Sequence, residues 1–454
     1  MDHLWYKMGL DIVMFRAPDK GGNPDLIRLS QERRFKPVET VQTVIDLDMK
    51  LRDAKYRLDQ TNAEYTKVNK ELAIKKKAGE SGEEVDKLVA RAAEIDKNIV
   101  AYKLECAQAE DELKKAIKPI GNIVHESVPV SNNEDNNQVV RTWGEPKTQK
   151  DLLHHHELLE MIDGYDLVRG TNVSGHRCYF LKGVGVELNL AIINYGLAFL
   201  KKRSYTHLQT PFFMRKEIMA ETAQLEQFDE ELYKIVGGAQ GEENEKYLIA
   251  TSEQPISSYH RGEWIEEKDL PKMYSGYSTC FRKEAGAHGR DVWGIFRVHQ
   301  FEKIEQFVIT KPEDSWAMHE QMIATAEAFY QELGLPYQVI SIVSGALNNA
   351  AAKKYDLEGW FPGYNQYREL VSCSNCTDYQ SRDLEIRCGM KKQGQQQKKY
   401  VHMLNSTLAA TTRVICCILE NYQTEGGINV PKVLQPYMGG VEFIPFVKPK
   451  PKQK

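Results

Sequence analysis

Long apolar runs are missing: no stretch of the 454 residues approaches the roughly 18 consecutive apolar positions that a spanning helix needs, so no transmembrane segment is expected. The start, MDHLWYKMGLDIVMF, lacks the basic segment, apolar run and small-residue cleavage site of a secretory signal, and the cytosol is the expected compartment. Cysteine is sparse, eight in all, without the density or spacing of a disulfide scaffold, so the thiols are expected to stay reduced. Cys373 and Cys376 have the spacing of half a zinc site, but no second pair follows and Cys388 stands alone; packed thiols are expected there. His154, His155 and His156 form a run with no HExxH pattern, and the leucine-rich helical pattern behind them reads as a solvated helix start. A surplus of positive charge is absent too. With 60 Lys and Arg against 64 Asp and Glu, the formal net charge of -4 excludes a protein that coats nucleic acid, and any RNA contact must be local. There is no GxxxxGK[ST], and no GxGxxG opens a helix after a strand. A bound nucleotide would be held by neither a P-loop nor a Rossmann turn.

What the chain has first is periodicity. Val44, Leu51, Leu58, Tyr65 and Leu72 recur every seven residues, and Leu47, Ala54, Thr61 and Val68 fill the positions between. A second seam runs through Val85, Leu88, Ala92, Ile95, Ile99, Tyr102, Cys106, Ala109, Leu113 and Ala116. The link Gly79-Glu80-Ser81-Gly82 carries a helix stop and then a capping box, in which Ser81 caps the second helix and Glu84 reaches back. Two helices of similar length joined by so short a turn lie antiparallel, each arm on the order of 50 Å long at about 1.5 Å per residue. Lys67, Lys70, Lys75, Lys76, Lys77, Lys87 and Arg91 gather towards the tip. Taken alone, the hairpin reads as a charged, solvated coiled coil for protein contacts.

A chain of this length exceeds what one core usually organises. After Ala116 the heptads stop and a polar stretch follows through Ser131, Asn132, Asn133, Glu134, Asp135, Asn136 and Asn137, which reads as linker. From about Asp151 the texture changes to short apolar runs, aromatics and glycines. Strands are expected at 206–211, 247–250, 273–281, 294–298, 303–309 and 400–404, and helices at 186–202, 312–333 and 411–421. Strands in a run with few intervening helices predict an α+β domain on an antiparallel sheet. The expected division is an N-terminal domain at 1–117 with its hairpin at 41–116, a linker at 118–150, the α+β domain at 151–445 and a basic tail at 446–454.

The most informative block is CFRKEAGAHGRD at 280–291 followed by IFRVHQFEKIEQ at 295–306. A strand ends in Arg-x-Glu, a glycine-bearing loop turns, and a second strand returns. This resembles motif 2 of a class II aminoacyl-tRNA synthetase, and its wording is similar to that of seryl-tRNA synthetases. The resemblance continues through TSEQP at 251–255, ELVSCSNCTDYQ at 369–380, HMLNST at 402–407 with Arg413 beyond it, and GINVP at 427–431. Motif 1 is the weakest match, carried by the 186–202 helix and Pro211. Residues 1–7 precede the start usual in this family.

The resemblance implies a ligase that activates L-serine with ATP and Mg²⁺ and then charges serine tRNA, recognised by its long variable arm, and selenocysteine tRNA as well. Serine's carboxylate must attack the α-phosphorus, which brings two anions together, so a cation has to stand between them. By resemblance Arg282 is that bridge, Arg413 lies near the γ-phosphate, and Glu369 and Ser372 hold Mg²⁺ with hard oxygens. Arg282, Glu369 and Arg413 are thus the candidate catalytic residues. The implied ATP site adds Lys283, Glu284, Val298, His299, Gln300, Phe301, Leu370 and Val371. The implied serine pocket comprises Thr251, Ser252, Glu253, Arg282, Glu305, Asn405 and Thr407; polar groups that pair with a hydroxyl discriminate strongly against a substrate lacking it. Lys70, Lys75, Lys76, Lys77 and Arg91 are the candidate tRNA contacts, and a homodimer is implied through motif 1. The competing readings are a catalytically inactive relative acting as an RNA-binding scaffold and a coiled-coil interaction protein with an unrelated α+β domain.

Overall fold

The computed structural model describes residues 9–149, 151–222, 231–236, 245–284, 292–389 and 399–451. The extension at 1–7, the motif 2 loop from Ala285 to Asp291 and the end of the basic tail, 452–454, lie outside the described residues. The chain forms two compact units, Met1–Ile123 and Val124–Lys454.

In the first unit Pro24 opens α1 (Pro24–Arg33), capped by Asn23, whose side chain accepts from the Leu26 N–H. The hairpin consists of α2 (Glu39–Lys77) and α3 (Glu83–Ile117). Val44, Leu51, Ala54 and Val68 on α2 and Ile95, Ile99, Cys106, Ala109 and Leu113 on α3 are buried along the seam. Leu47, expected in the seam, is only half-buried, and its neighbour Asp48 is buried instead. Asp48 is held by Arg16 at 3.0 Å and by Arg52 at 2.9 Å, so the base of the hairpin is pinned by charge where the heptads predict leucine. At the turn, Gly79 takes a left-handed φ of 74°, and the Glu80 N–H reaches the Lys75 carbonyl while the Gly79 N–H reaches that of Lys76. That is a Schellman close. The expected capping box does not form: Gly82 is the N-cap, no side chain caps α3, and Glu84 pairs with Lys75 at 2.8 Å across the turn.

The second unit is built on an eight-stranded sheet. Its strands are β1 (Gln138–Trp143), β2 (Thr206–Gln209), β3 (Lys272–Phe281), β4 (Gln300–Thr310), β5 (Tyr337–Ser341), β6 (Lys353–Phe361), β7 (Gln366–Asn375) and β8 (His402–Ala410), in the order β1-β5-β6-β7-β8-β4-β3-β2. Neighbours are antiparallel except β2, which runs parallel to β3. The segment read as linker is not one: residues from 124 belong to this unit, and β1 is an edge strand paired with β5. Nor is 294–298 a strand; the chain bends there. Strands β5, β6 and β7 were not legible. Their buried, mixed faces lack clean alternation, and β6 and β7 carry a register shift.

The α-helices of seven residues or more among the described residues of this unit are α4 (His155–Met161), α5 (Leu167–Ser174), α6 (Val184–Lys201), α7 (Ser315–Glu332) and α8 (Thr411–Tyr422). Leu188, Ile192 and Leu200 of α6, Met322 and Phe329 of α7 and Ile415 and Leu419 of α8 share one core with Ile304, Val308, Leu404 and Leu408 of the sheet. α6 is long and apolar enough to cross a membrane by length and composition alone, but it is no unbroken apolar run, since it carries Glu187, Asn189 and Asn194, and 56% of it is buried inside the fold, which accounts for its composition. The basic tail begins attached: the Val447 and Lys448 N–H groups donate to the Met161 carbonyl, and Lys448 pairs with Asp163 at 2.6 Å.

Candidate active site

Strand alternation and two register shifts build the site. On β4, Phe301, Lys303 and Glu305 share the face away from the helices, while Ile304 and Val308 enter the core. On β8, Thr407 pairs with Glu305 and Asn405 with Phe307, and a shift leaves Leu408 extra, so Ala410 joins the same face opposite Lys303. On β7 the proposed metal ligands Glu369 and Ser372 are three residues apart, a spacing that places side chains on opposite faces of a regular strand. A shift at Leu370 corrects this, because Glu369 pairs with Glu358 while Val371 pairs with Leu357. Both ligands then face the same cavity, of about 220 Å³.

Arg282 follows β3 and is pinned on every side. Its N–H donates to the His299 carbonyl at 2.9 Å, its carbonyl lies 2.9 Å from His299 Nδ1, and its Nε donates to the Ala250 carbonyl at 3.3 Å. The guanidinium stands over the Phe301 ring, 5.3 Å from its centroid. Arg413, in the first turn of α8, donates to the Glu369 carbonyl at 3.0 Å and to Oε2 at 3.2 Å, and lies 4.8 Å from the Phe296 centroid. The Glu369 side chain is 45% exposed, opening onto the cavity. Packing around it opposes its charge, but Arg413, Lys354 and Arg282 outweigh that and hold its pKa at about 2. A carboxylate this acidic stays ionised throughout the physiological range.

A second group surrounds Glu305. Lys303 Nζ lies 2.5 Å from Glu305 Oε2, both side chains being almost fully buried, and Thr251 Oγ1 donates to the same oxygen at 3.5 Å. Glu253 accepts from Gln380 Nε2 at 2.9 Å; burial, aided by Glu305, pushes its carboxyl pKa up. Asn405 Nδ2 is 3.6 Å from the Cys376 thiol. The two arginines suit phosphate and carboxylate oxygens, and the buried carboxylates suit an ammonium and a hydroxyl.

Of the residues read from sequence, Thr251, Glu253, Arg282, Glu284, Val298, Phe301, Glu305, Glu369, Leu370, Ser372, Asn405, Thr407 and Arg413 line this one cavity. Ser252, Lys283, His299, Gln300 and Val371 are not among its lining. Ser252 is fully buried, Val371 turns into the core, and His299 acts on Arg282 from behind. Sequence reasoning did not assign Phe296, Arg297, Lys303 or Asn348 to the site. Lys303 shares its phase with Phe301 and Glu305 and could have been found so; Asn348 comes from a loop with no such signal. The histidine run is also corrected: His155 is fully buried against Glu420 and is no solvated helix start. Cys373 lies near the His319 carbonyl, away from Cys376, which faces Asn405. Among the basic hairpin residues, Lys70, Lys76 and Lys77 are exposed, whereas Lys75 is paired with Glu80 and Glu84 and Arg91 with Glu64.

Glu305→Ala removes a carboxylate from the group expected to take the amino acid and leaves the arginine group intact. The KM for serine in pyrophosphate exchange should rise at least tenfold, about 1.5 kcal/mol or more for a charged hydrogen bond, with the KM for ATP within twofold. A collapse of ATP affinity alone would show the assignment of the two groups to be wrong.

Residues 233–422 match the tRNA synthetase class II core domain (G, H, P, S and T), and residues 10–124 match the seryl-tRNA synthetase N-terminal domain. A cytoplasmic serine–tRNA ligase of Dictyostelium discoideum is 73% identical over 447 residues, 98% of this chain and 97% of that protein. The crystal structure of a cytoplasmic serine–tRNA ligase from Naegleria fowleri in complex with AMP superposes with a TM-score of 0.86 at 52% identity, covering 97% of this chain and 99% of that one. The seryl-tRNA synthetase of Pyrococcus horikoshii complexed with ATP gives 0.88 at 37% identity, covering 97% and 100%. With a matching fold, a cavity that gathers the motif residues and relatives of this identity along nearly the whole chain, the protein belongs to the seryl-tRNA synthetase family of class II aminoacyl-tRNA synthetases.

Proposed function

We propose that the chain is an ATP-dependent serine–tRNA ligase acting in the cytoplasm, the compartment named for its relatives. The observation that carries this is the single cavity in which pinned arginines adjoin buried carboxylates. Serine's carboxylate attacks the α-phosphorus and displaces pyrophosphate, giving seryl-adenylate; a terminal ribose hydroxyl of the tRNA then attacks the seryl carbonyl and releases AMP. Arg282 stands where the two anions meet and lowers their repulsion in the transition state. Arg413 serves the outer phosphates. Glu305, Glu253, Thr251, Asn405 and Thr407 divide the ammonium and hydroxyl of serine between them.

The donor set fits Mg²⁺: Glu369 and Ser372 offer hard oxygens to the cavity, and Asp356, the residue paired with Ser372, adds a buried carboxylate beside them. When bound, the ion neutralises phosphate charge. The hairpin reads serine tRNA and selenocysteine tRNA by the elbow and long variable arm, with Lys70, Lys76 and Lys77 free for phosphates and Lys75 and Arg91 exchanging carboxylates for phosphates on binding. A second copy of the chain covers exposed apolar residues on and near α6, among them Phe180, Val186 and Leu190, giving a homodimer. The test is charging of purified serine tRNA with labelled serine, where ester formation must need ATP and Mg²⁺. Label that reached a tRNA of another amino-acid specificity equally well would contradict the proposal.

A further inference from the structure

His155, the first residue of α4, and Glu420, near the end of α8, are both completely buried. Glu420 Oε1 accepts the His155 backbone N–H at 3.0 Å and lies 2.9 Å from ring Nδ1, while Oε2 accepts the Gly363 N–H at 2.8 Å. The other ring nitrogen, Nε2, lies 3.2 Å from the Trp293 carbonyl, which can only accept, so Nε2 carries a proton. Burial opposes a charged ring, but Cys416 and Glu420 outweigh it and push the pKa up to about 10. An apolar pair of the same volume would fill this space without the desolvation cost of two charges, so packing does not explain the pair.

Both ends of the pair lead to the cavity. Glu420 stands seven residues beyond Arg413 on the same helix, two turns along. Trp293 begins the segment Trp293-Gly294-Ile295-Phe296-Arg297, whose last two residues line the cavity. Gly294, at φ 59°, passes so close to α4 that a Cβ there would lie 2.9 Å from His156 Cβ and 3.1 Å from His155 Cδ2. Ile295 is then fully buried, and the Phe296 ring is met by two guanidinium groups, Arg413 at 4.8 Å and Arg368 at 5.1 Å from its centroid.

We propose that His155 is a positioning residue for the nucleotide part of the cavity: Glu420 fixes its ring, and its Nε2–H holds the Trp293 carbonyl, which sets where Phe296 and Arg297 enter. This rests on the ATP-dependent reading above. Asparagine can replace the donor at Nδ1 and not the one at Nε2, whereas glutamine reaches the Nε2 position. In serine-dependent pyrophosphate exchange His155→Asn should raise the KM for ATP about five- to tenfold, the range of one lost hydrogen bond, with the KM for serine within twofold. His155→Gln should restore most of the loss in ATP affinity. If the asparagine variant does not fold, Gly294→Ala gives the same readout, because its Cβ lifts the segment from the ring. An unchanged KM for ATP, an equal rise in both KM values, or a glutamine variant as impaired as the asparagine variant would overturn the proposal. Wild-type enzyme is measured alongside. Failure of the wild type to exchange removes the functional reading beneath the proposal, whereas active wild type with an unaltered variant removes the proposal alone.

Discussion

Arg282→Ala is expected to lose serine-dependent pyrophosphate exchange by about 10²- to 10³-fold, the usual loss for one preorganised donor at developing charge. The side chain is already held by the Ala250 carbonyl and the Phe301 ring before any substrate arrives, so no reorganisation is needed when the two anions meet. Its removal from a cavity edge leaves the core untouched, and the thermal midpoint should move little. Exchange within threefold of wild type would exclude Arg282 from the first chemical step. Arg282→Lys should recover only part of the activity, since an ammonium keeps the charge but not the planar fork that serves two oxygens at once.

Removal of the hairpin should have the opposite selectivity. A protein with Thr40 joined to Lys118 through a short Gly-Ser linker loses α2 and α3, whereas residues 124–451 retain their own core. Adenylate formation needs only ATP, Mg²⁺ and serine, so exchange should stay within about threefold, while charging of serine tRNA should fall by 10³-fold or more, as expected when most of the phosphate contacts are lost. In the full chain, Lys70→Ala with Lys76→Ala and Lys77→Ala should weaken tRNA binding and flatten its salt dependence, each lost phosphate contact removing about one unit of the slope. Equal loss of exchange and charging in a folded truncated protein would mean that the hairpin supports catalysis structurally, and its RNA-reading role would be withdrawn.

The hairpin was legible because a seven-residue repeat is a local property. It failed only where something outside the helix intervened: Arg16 draws Asp48 into the buried position beside Leu47, and Lys75 takes Glu84 from its cap. The cavity was legible as a set of residues and not as a surface. Phase along β4 puts Phe301 and Glu305 together, but bringing Glu369 and Ser372 to one face takes an extra residue in β7 that no periodicity announces. Ser252, Val371 and His299 fell within the right motifs and yet point away, because a contiguous segment in a strand or turn cannot direct every side chain into one cavity. His155 was misread for a similar reason. Its partner lies 265 residues away on another helix, and without Glu420 a histidine at a helix start has every reason to face water.

The measurement closest to the central claim is ATP–pyrophosphate exchange by the purified full-length chain with serine, alanine and threonine supplied separately. The proposed pairing of both the ammonium and the hydroxyl of serine in one cavity, beside an arginine-held triphosphate, predicts exchange with serine and at least about 10³-fold less with alanine, whose missing hydroxyl would leave buried polar groups unpaired. Absence of exchange with serine, or exchange with alanine at a comparable rate, would contradict it.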